Sequence, residues 1–188
     1  MVKDYKLKQI KNSGFTLIEL VISILIIGII GTLSTRMLFQ GAGIYFQQTD
    51  RQKLTSQSRS AIWRIQKDIR NQSNAANFNL SDSDTLVLLD LENQTKKYCA
   101  RNNGKLFMIT NSNSSILADS ITLGKTNFSF FNSNFENITP SSGNVLNGAD
   151  VRLTKIDFLF NRFSDTLALS SYVFPQNFRY GQKKSYHD

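Results

Sequence analysis

Apolar positions crowd one end of the chain. Phe15 to Leu33, FTLIELVISILIIGIIGTL, is a run of 19 residues with a single charge, Glu19. Such a run predicts a helix of about 28 Å, close to the ~30 Å hydrocarbon thickness of a bilayer. Beyond it the pattern turns amphipathic. Ala61, Ile62, Ile65 and Ile69 recur at helical spacing while Arg64, Gln66, Lys67 and Arg70 take other faces, so the helix is expected to reach about Asn71. Arg64 and Asp68 stand four apart, as a helical ion pair would. No proline falls between 15 and 71, the two in the chain being Pro140 and Pro175. Gly28, Gly31, Gly41 and Gly43 are the weak points, each costing up to ~1 kcal/mol relative to alanine. Gly28 and Gly31 would instead let a second helix approach closely. A helix of roughly 55 residues extends about 80 Å, more than one small domain covers. Its N-terminal half is therefore expected to be surrounded by lipid or by copies of itself.

After residue 71 the pattern changes to short apolar runs. Thr85–Leu91 is one. Lys97–Arg101 and Lys105–Ile109 flank Asn102-Asn103-Gly104 and predict a hairpin. Asn127–Phe131 is aromatic and strand-like. Asp150–Asn161 alternates Val151, Leu153, Ile156, Phe158 and Phe160 with polar residues, imperfectly at Thr154–Lys155, and Thr166–Phe174 is placed to pair with it across 162–165. Residues 132–149, rich in Asn, Ser and Gly, read as a long surface loop. The expected fold class is α+β: one long helix packed on an antiparallel sheet.

Composition narrows the chemistry. The chain has 188 residues, 40% of them hydrophobic, which suits a modest core. Of its 18 Asn only Asn12 precedes position 71. One cysteine, Cys99, excludes an intramolecular disulfide and any multi-cysteine metal site, and reads as a small core residue. One histidine, His187, sits at the C-terminal end and leaves little for a triad or a zinc centre. Gly41-Ala42-Gly43 lacks the third glycine of a dinucleotide fingerprint, and no G-x-S-x-G, H-E-x-x-H or phosphate-loop pattern occurs. Asp82-Ser83-Asp84 and Asn147–Asp150 carry calcium-type donors but read as solvated loops, and Asn137-Ile138-Thr139 matches a glycosylation pattern of the kind that recurs by chance. No catalytic residue, metal or cofactor is expected, and the chain is read as not an enzyme.

The net charge of +8 is uneven. Lys3, Lys6, Lys8 and Lys11 precede the apolar run with only Asp4 against them, and Arg36 alone follows it closely. That bias keeps the N-terminus cytoplasmic and exports the remainder. The other cations scatter, with small groups at Lys96–Lys97 and at Arg179, Lys183 and Lys184, and read as a weakly basic face. A secretory signal would have a shorter apolar region and a small-residue cleavage site behind it. Here the small residue at a polar–apolar junction is Gly14, ahead of the run.

Glu19 is the anomaly. A carboxylate within an apolar span costs a few kcal/mol and asks for a partner. Near a helix start it can also snorkel and gain from the helix dipole. Cutting between Gly14 and Phe15 would create a cation at that depth, the new α-amino group, for the carboxylate of an adjacent helix to neutralise.

Lys11-Asn12-Ser13-Gly14-Phe15-Thr16-Leu17-Ile18-Glu19-Leu20 and the apolar run resemble the N-terminus of type IV prepilins and type II secretion pseudopilins. The resemblance covers about the first 35 residues, with a looser architectural similarity beyond. It implies a cleaved basic leader, 1–14; a long N-terminal helix, 15–71, with 15–35 the transmembrane and filament-core segment; and an exported β-rich head, 72–188. It implies cleavage after Gly14 by a prepilin peptidase that also N-methylates Phe15, and an assembly role for Glu19 and Phe15. Its partners would be other pilins met through the helix, an inner-membrane assembly platform with its ATPase, and the lipid bilayer. Where many pilins carry a helix-breaking proline, this chain has Arg36 and its neighbours. Ala61–Arg70 and the Tyr98–Leu106 hairpin look most like minor members, MshO-type pilus proteins or J-type pseudopilins. The implied function is a minor pilin of a type IV pilus, held in the inner membrane with its head periplasmic before assembly. The alternatives are a minor pseudopilin of a type II secretion system, or an adhesive or DNA-binding minor pilin that contacts its target through basic C-terminal residues and the Asn/Ser-rich loops.

Overall fold

The computed structural model describes residues 14–175 except 73, 90–92, 102, 112, 145, 163 and 164. The chain divides into two compact units, Met1–Gln48 and Thr49–Asp188. Lys3, Lys6, Lys8 and Lys11, the C-terminal cations Arg179, Lys183 and Lys184, and His187 lie outside the described residues.

A single helix, α1, spans Leu17–Arg70. It runs unbroken through Gly28, Gly31, Gly41 and Gly43, and a Cβ at any of the four would meet nothing within 4 Å. In the first unit every described residue is exposed. From Phe15 to Leu33 thirteen large apolar side chains lie open. At about 1.5–3 kcal/mol for each such side chain removed from water, tens of kcal/mol favour covering this stretch. The segment is long and apolar enough to cross a membrane.

In the second unit the helix supplies a buried stripe of Leu54, Ser58, Ala61, Ile62, Ile65 and Ile69. This is the predicted apolar face carried two turns further back. Ser58 tolerates burial because its hydroxyl donates to the Leu54 carbonyl at 2.7 Å.

The strands form two antiparallel sheets rather than one. Sheet A contains β1 (Thr85–Leu89), β2 (Thr95–Arg101), β3 (Lys105–Thr110) and β4 (Asn113–Ala118), in that order. Sheet B contains β5 (Asn127–Phe131), β6 (Leu153–Arg162) and β7 (Asp165–Val173). β2 and β3 pair from Arg101↔Lys105 as the hairpin predicts, with Gly104 at φ +69, the left-handed position that glycine occupies without steric cost. β6 and β7 pair from Arg162↔Asp165. β4 was not expected. Its Asn113–Ile116 are exposed at a sheet edge, so no buried face imprints a period of two on its sequence. β6 begins at Leu153 instead of Asp150, because Gly148–Asp150 form a 3-10 turn.

The core joins the helix stripe to Phe78, Leu86, Leu88, Tyr98, Leu106, Phe128, Phe130, Ile156, Phe158 and Phe160. Rings meet edge to face, Phe128 on Phe158 at 5.4 Å and Phe78 on Phe130 at 6.0 Å between centroids. Thr154 explains the imperfect alternation of β6: it occupies the inward phase with Ile156, Phe158 and Phe160, fully buried. Cys99 is a buried free thiol on β2, in line with its reading as a core residue.

Candidate processing and assembly site

Gly14, Phe15 and Thr16 precede the first turn of α1 in non-helical backbone. Gly14 has open space around it, and Phe15 is 78% exposed. The Gly14–Phe15 bond is therefore accessible and free of helical hydrogen bonding, the state in which a peptidase can take a backbone.

Thr16 caps the helix. Its backbone N–H and its hydroxyl both donate to Glu19 Oε2 at 2.9 Å, and the Glu19 N–H donates back to Thr16 Oγ1 at 3.4 Å. The Leu20 N–H reaches the Thr16 carbonyl at 3.3 Å. This is a reciprocal capping box, with the threonine at N-cap and the glutamate at the third helical position. It satisfies donors that the helix itself cannot, and it places a carboxylate at the positive end of the helix dipole. Glu19 thus has a partner inside its own chain. The signal was present in the sequence as Thr16-Leu17-Ile18-Glu19, the threonine–x–x–glutamate pattern ahead of an apolar run, and Thr16 is the residue the reading of Glu19 left out.

Elsewhere the polar loop side chains singled out by sequence are engaged in local hydrogen bonds. Asp82, a possible calcium donor by sequence, accepts the Asp84 and Thr85 N–H groups on Oδ1 at 2.8 and 2.7 Å and the Gly143 N–H on Oδ2 at 2.9 Å. Its carboxylate ties Gly143 to the entry of β1. Asn147 Nδ2 donates to Asp150 Oδ2 at 3.0 Å. Asn137 is exposed and its side-chain oxygen accepts from both the N–H and the hydroxyl of Thr139, closing a local turn. Among the described residues no group of three or more His, Cys, Asp and Glu could hold a metal ion. A cleft of about 470 Å³ opens between Asn132, Phe135, Arg152, Leu153 and Phe174. Arg152 is committed there to the Ala149 and Val151 carbonyls, at 3.0 and 2.9 Å.

No curated protein and no solved structure gives a significant match to the chain. Residues 10–35 match the family model described as the prokaryotic N-terminal methylation motif. The match frames the Gly14–Phe15 bond, the capping box and most of the exposed apolar run. It supports a pilin- or pseudopilin-type subunit, structural in role, that is processed by a prepilin peptidase, assembles with other pilins and is anchored in a membrane by the apolar helix.

Proposed function

We propose that this chain is a minor pilin of a type IV pilus. The prepilin waits in the inner membrane, leader in the cytoplasm and β-rich head outside. The peptidase cuts between Gly14 and Phe15 and methylates the new Phe15 amine, which stays cationic. An ATPase-driven platform then extracts the subunit, and Glu19 of one subunit registers against the Phe15 amine of its neighbour. One observation carries the proposal: an accessible, non-helical Gly14–Phe15 bond stands directly before a helix whose first turn fixes the Glu19 carboxylate. The amine released by the cut lies one residue from the cap, at the positive end of its own helix, where a neighbouring carboxylate offsets an unfavourable charge. The minor rank rests on the resemblance of Ala61–Arg70 and the Tyr98–Leu106 hairpin to minor subunits, outside the residues 10–35 that match the family model.

Mass spectrometry of the protein from a peptidase-competent host tests the reading. An N-terminus at methylated Phe15 is expected; an intact Met1 overturns it. Glu19→Ala is expected to be processed but to enter filaments poorly, and normal entry removes the role assigned to Glu19. Deleting the gene tests the system: loss of pili is expected, whereas loss of exoprotein secretion with pili intact would make the chain a pseudopilin instead.

A further inference from the structure

The helix segment in the second unit has two unlike faces. Opposite the buried stripe, at 100° per residue, Gln52, Ser56, Arg59, Trp63, Lys67 and Arg70 line one outward seam. Arg51, Lys53, Arg59, Arg64, Lys67 and Arg70 are all exposed. The only two acids between residues 49 and 70 point the other way. Asp50 pairs with Arg162 at 3.2 Å, and Asp68 with Tyr98 and Lys96. Arg64 leans toward Tyr98 and Arg51 lies on the side of the buried stripe, so Lys53, Arg59, Lys67 and Arg70 are the cations left on or beside the seam, with no carboxylate of this stretch among them. In their midst Trp63, the single tryptophan of the chain, is 64% exposed, with Lys67 Nζ 5.6 Å from its ring centroid.

A large aromatic held in water inside a ring of cations has the composition of an interface anchor. The seam also narrows beside it: Ser56 and Ser60 are small enough to admit a second helix, and steps of three and four residues (52, 56, 59, 63, 67, 70) match the seam of a packed helix pair. A second copy of this chain is a poor occupant, because it would set cations against cations within contact distance.

We infer that the outward face of residues 49–70 docks an acidic helix of a different pilin-type subunit, with Trp63 as the apolar anchor and Arg59, Lys67 and Arg70 paired to carboxylates on that helix. The inference rests on the pilin reading and adds to it the charge and non-identity of the neighbour.

The test places a photo-crosslinking residue in the seam, Ser56→p-benzoylphenylalanine, in the full chain in filament-forming cells, and sequences the adduct. The expected adduct is a second, non-identical subunit with a prepilin motif, attached through an acidic helical face. Its yield is expected to fall about tenfold in Arg59→Glu/Lys67→Glu and in Trp63→Ala, and in the charge-reversed variant alone to recover when the contacted acids are changed to lysine. An adduct to another copy of this chain, to nucleic acid or to lipid overturns the inference, as does a yield indifferent to these changes. A chain cleaved and methylated at Phe15 that gives no protein adduct sinks the docking surface alone. A chain that keeps Met1 sinks the pilin reading itself.

Discussion

The hydroxyl of Tyr98, on β2, donates to the carboxylate of Asp68, in the last turns of α1. Lys96 Nζ lies 3.7 Å from the same carboxylate. Asp68, placed by sequence to pair with Arg64 along the helix, instead fastens the helix to sheet A. Tyr98 is fully buried. Burial first, then the bond to Asp68 and its charge, push the phenol far above its ordinary range, against a smaller opposing pull from Arg64.

That shift gives a pH dependence of definite sign. Below about pH 10 the phenol is protonated in folded and unfolded chains alike, and its contribution to stability is full. Above that pH the unfolded chain ionises while the folded one keeps its proton, so stability falls by about 1.4 kcal/mol per pH unit. Tyr98→Phe is expected to cost about 1–3 kcal/mol near neutrality, by leaving Asp68 short of a donor, and to flatten the alkaline slope. Denaturant unfolding of the full chain in micelles at pH 8 and above pH 10 measures both. Equal slopes in the two proteins would refute the account.

Gly148 N–H donates to Asn79 Oδ1 at 2.9 Å, and a Cβ at Gly148 would lie 2.6 Å from both the Ala75 carbonyl oxygen and that Oδ1. No side chain fits there unless the turn at Ala75–Phe78 gives way. Gly148→Ala is expected to cost about 1–3 kcal/mol, read as a lowered thermal midpoint of the sheet signal in circular dichroism. A midpoint equal to the parent's would show that the two turns separate freely.

Thr154 Oγ1 is buried without a hydrogen-bond partner among the described residues. Thr154→Val keeps the shape and removes an unsatisfied polar atom, so a gain of about 1 kcal/mol is expected, raising the midpoint by roughly 2–4 °C. A loss of stability would mean that the hydroxyl is satisfied in solution.

The capping box predicts local protection at the start of the span. Thr16→Val removes the hydroxyl that bonds Glu19 and costs about 1 kcal/mol, so exchange at the Glu19 amide should quicken about fivefold, with Thr16→Ser close to the parent. Hydrogen exchange of the chain in micelles reads this directly. Unchanged protection in Thr16→Val would remove the cap.

Lys155 Nζ lies 2.7 Å from Asp157 and 5.6 Å from the Tyr172 ring centroid on the outer face of sheet B, and the bond to Asp157 is the main cause of its raised pKa. The pair is at the surface, where such contacts contribute little to stability.

By itself the sequence determined whatever depends on neighbours along the chain. A run of apolar residues at Phe15–Leu33, an unbroken helical period through Ile69 and the turn signal ahead of Lys105 need only local spacing, and the helix and the hairpin follow from it. The capping box was legible on the same terms at Thr16 and Glu19. Only the tertiary structure decided the rest. Two sheets replace one, and β4 lies at an edge, because pairing between distant segments leaves no period where neither face is buried. Asp68 and one oxygen of Asp82 took their partners, Tyr98 and Gly143, from far along the chain: a carboxylate bonds whatever the fold brings within about 3 Å, and sequence spacing does not measure that distance.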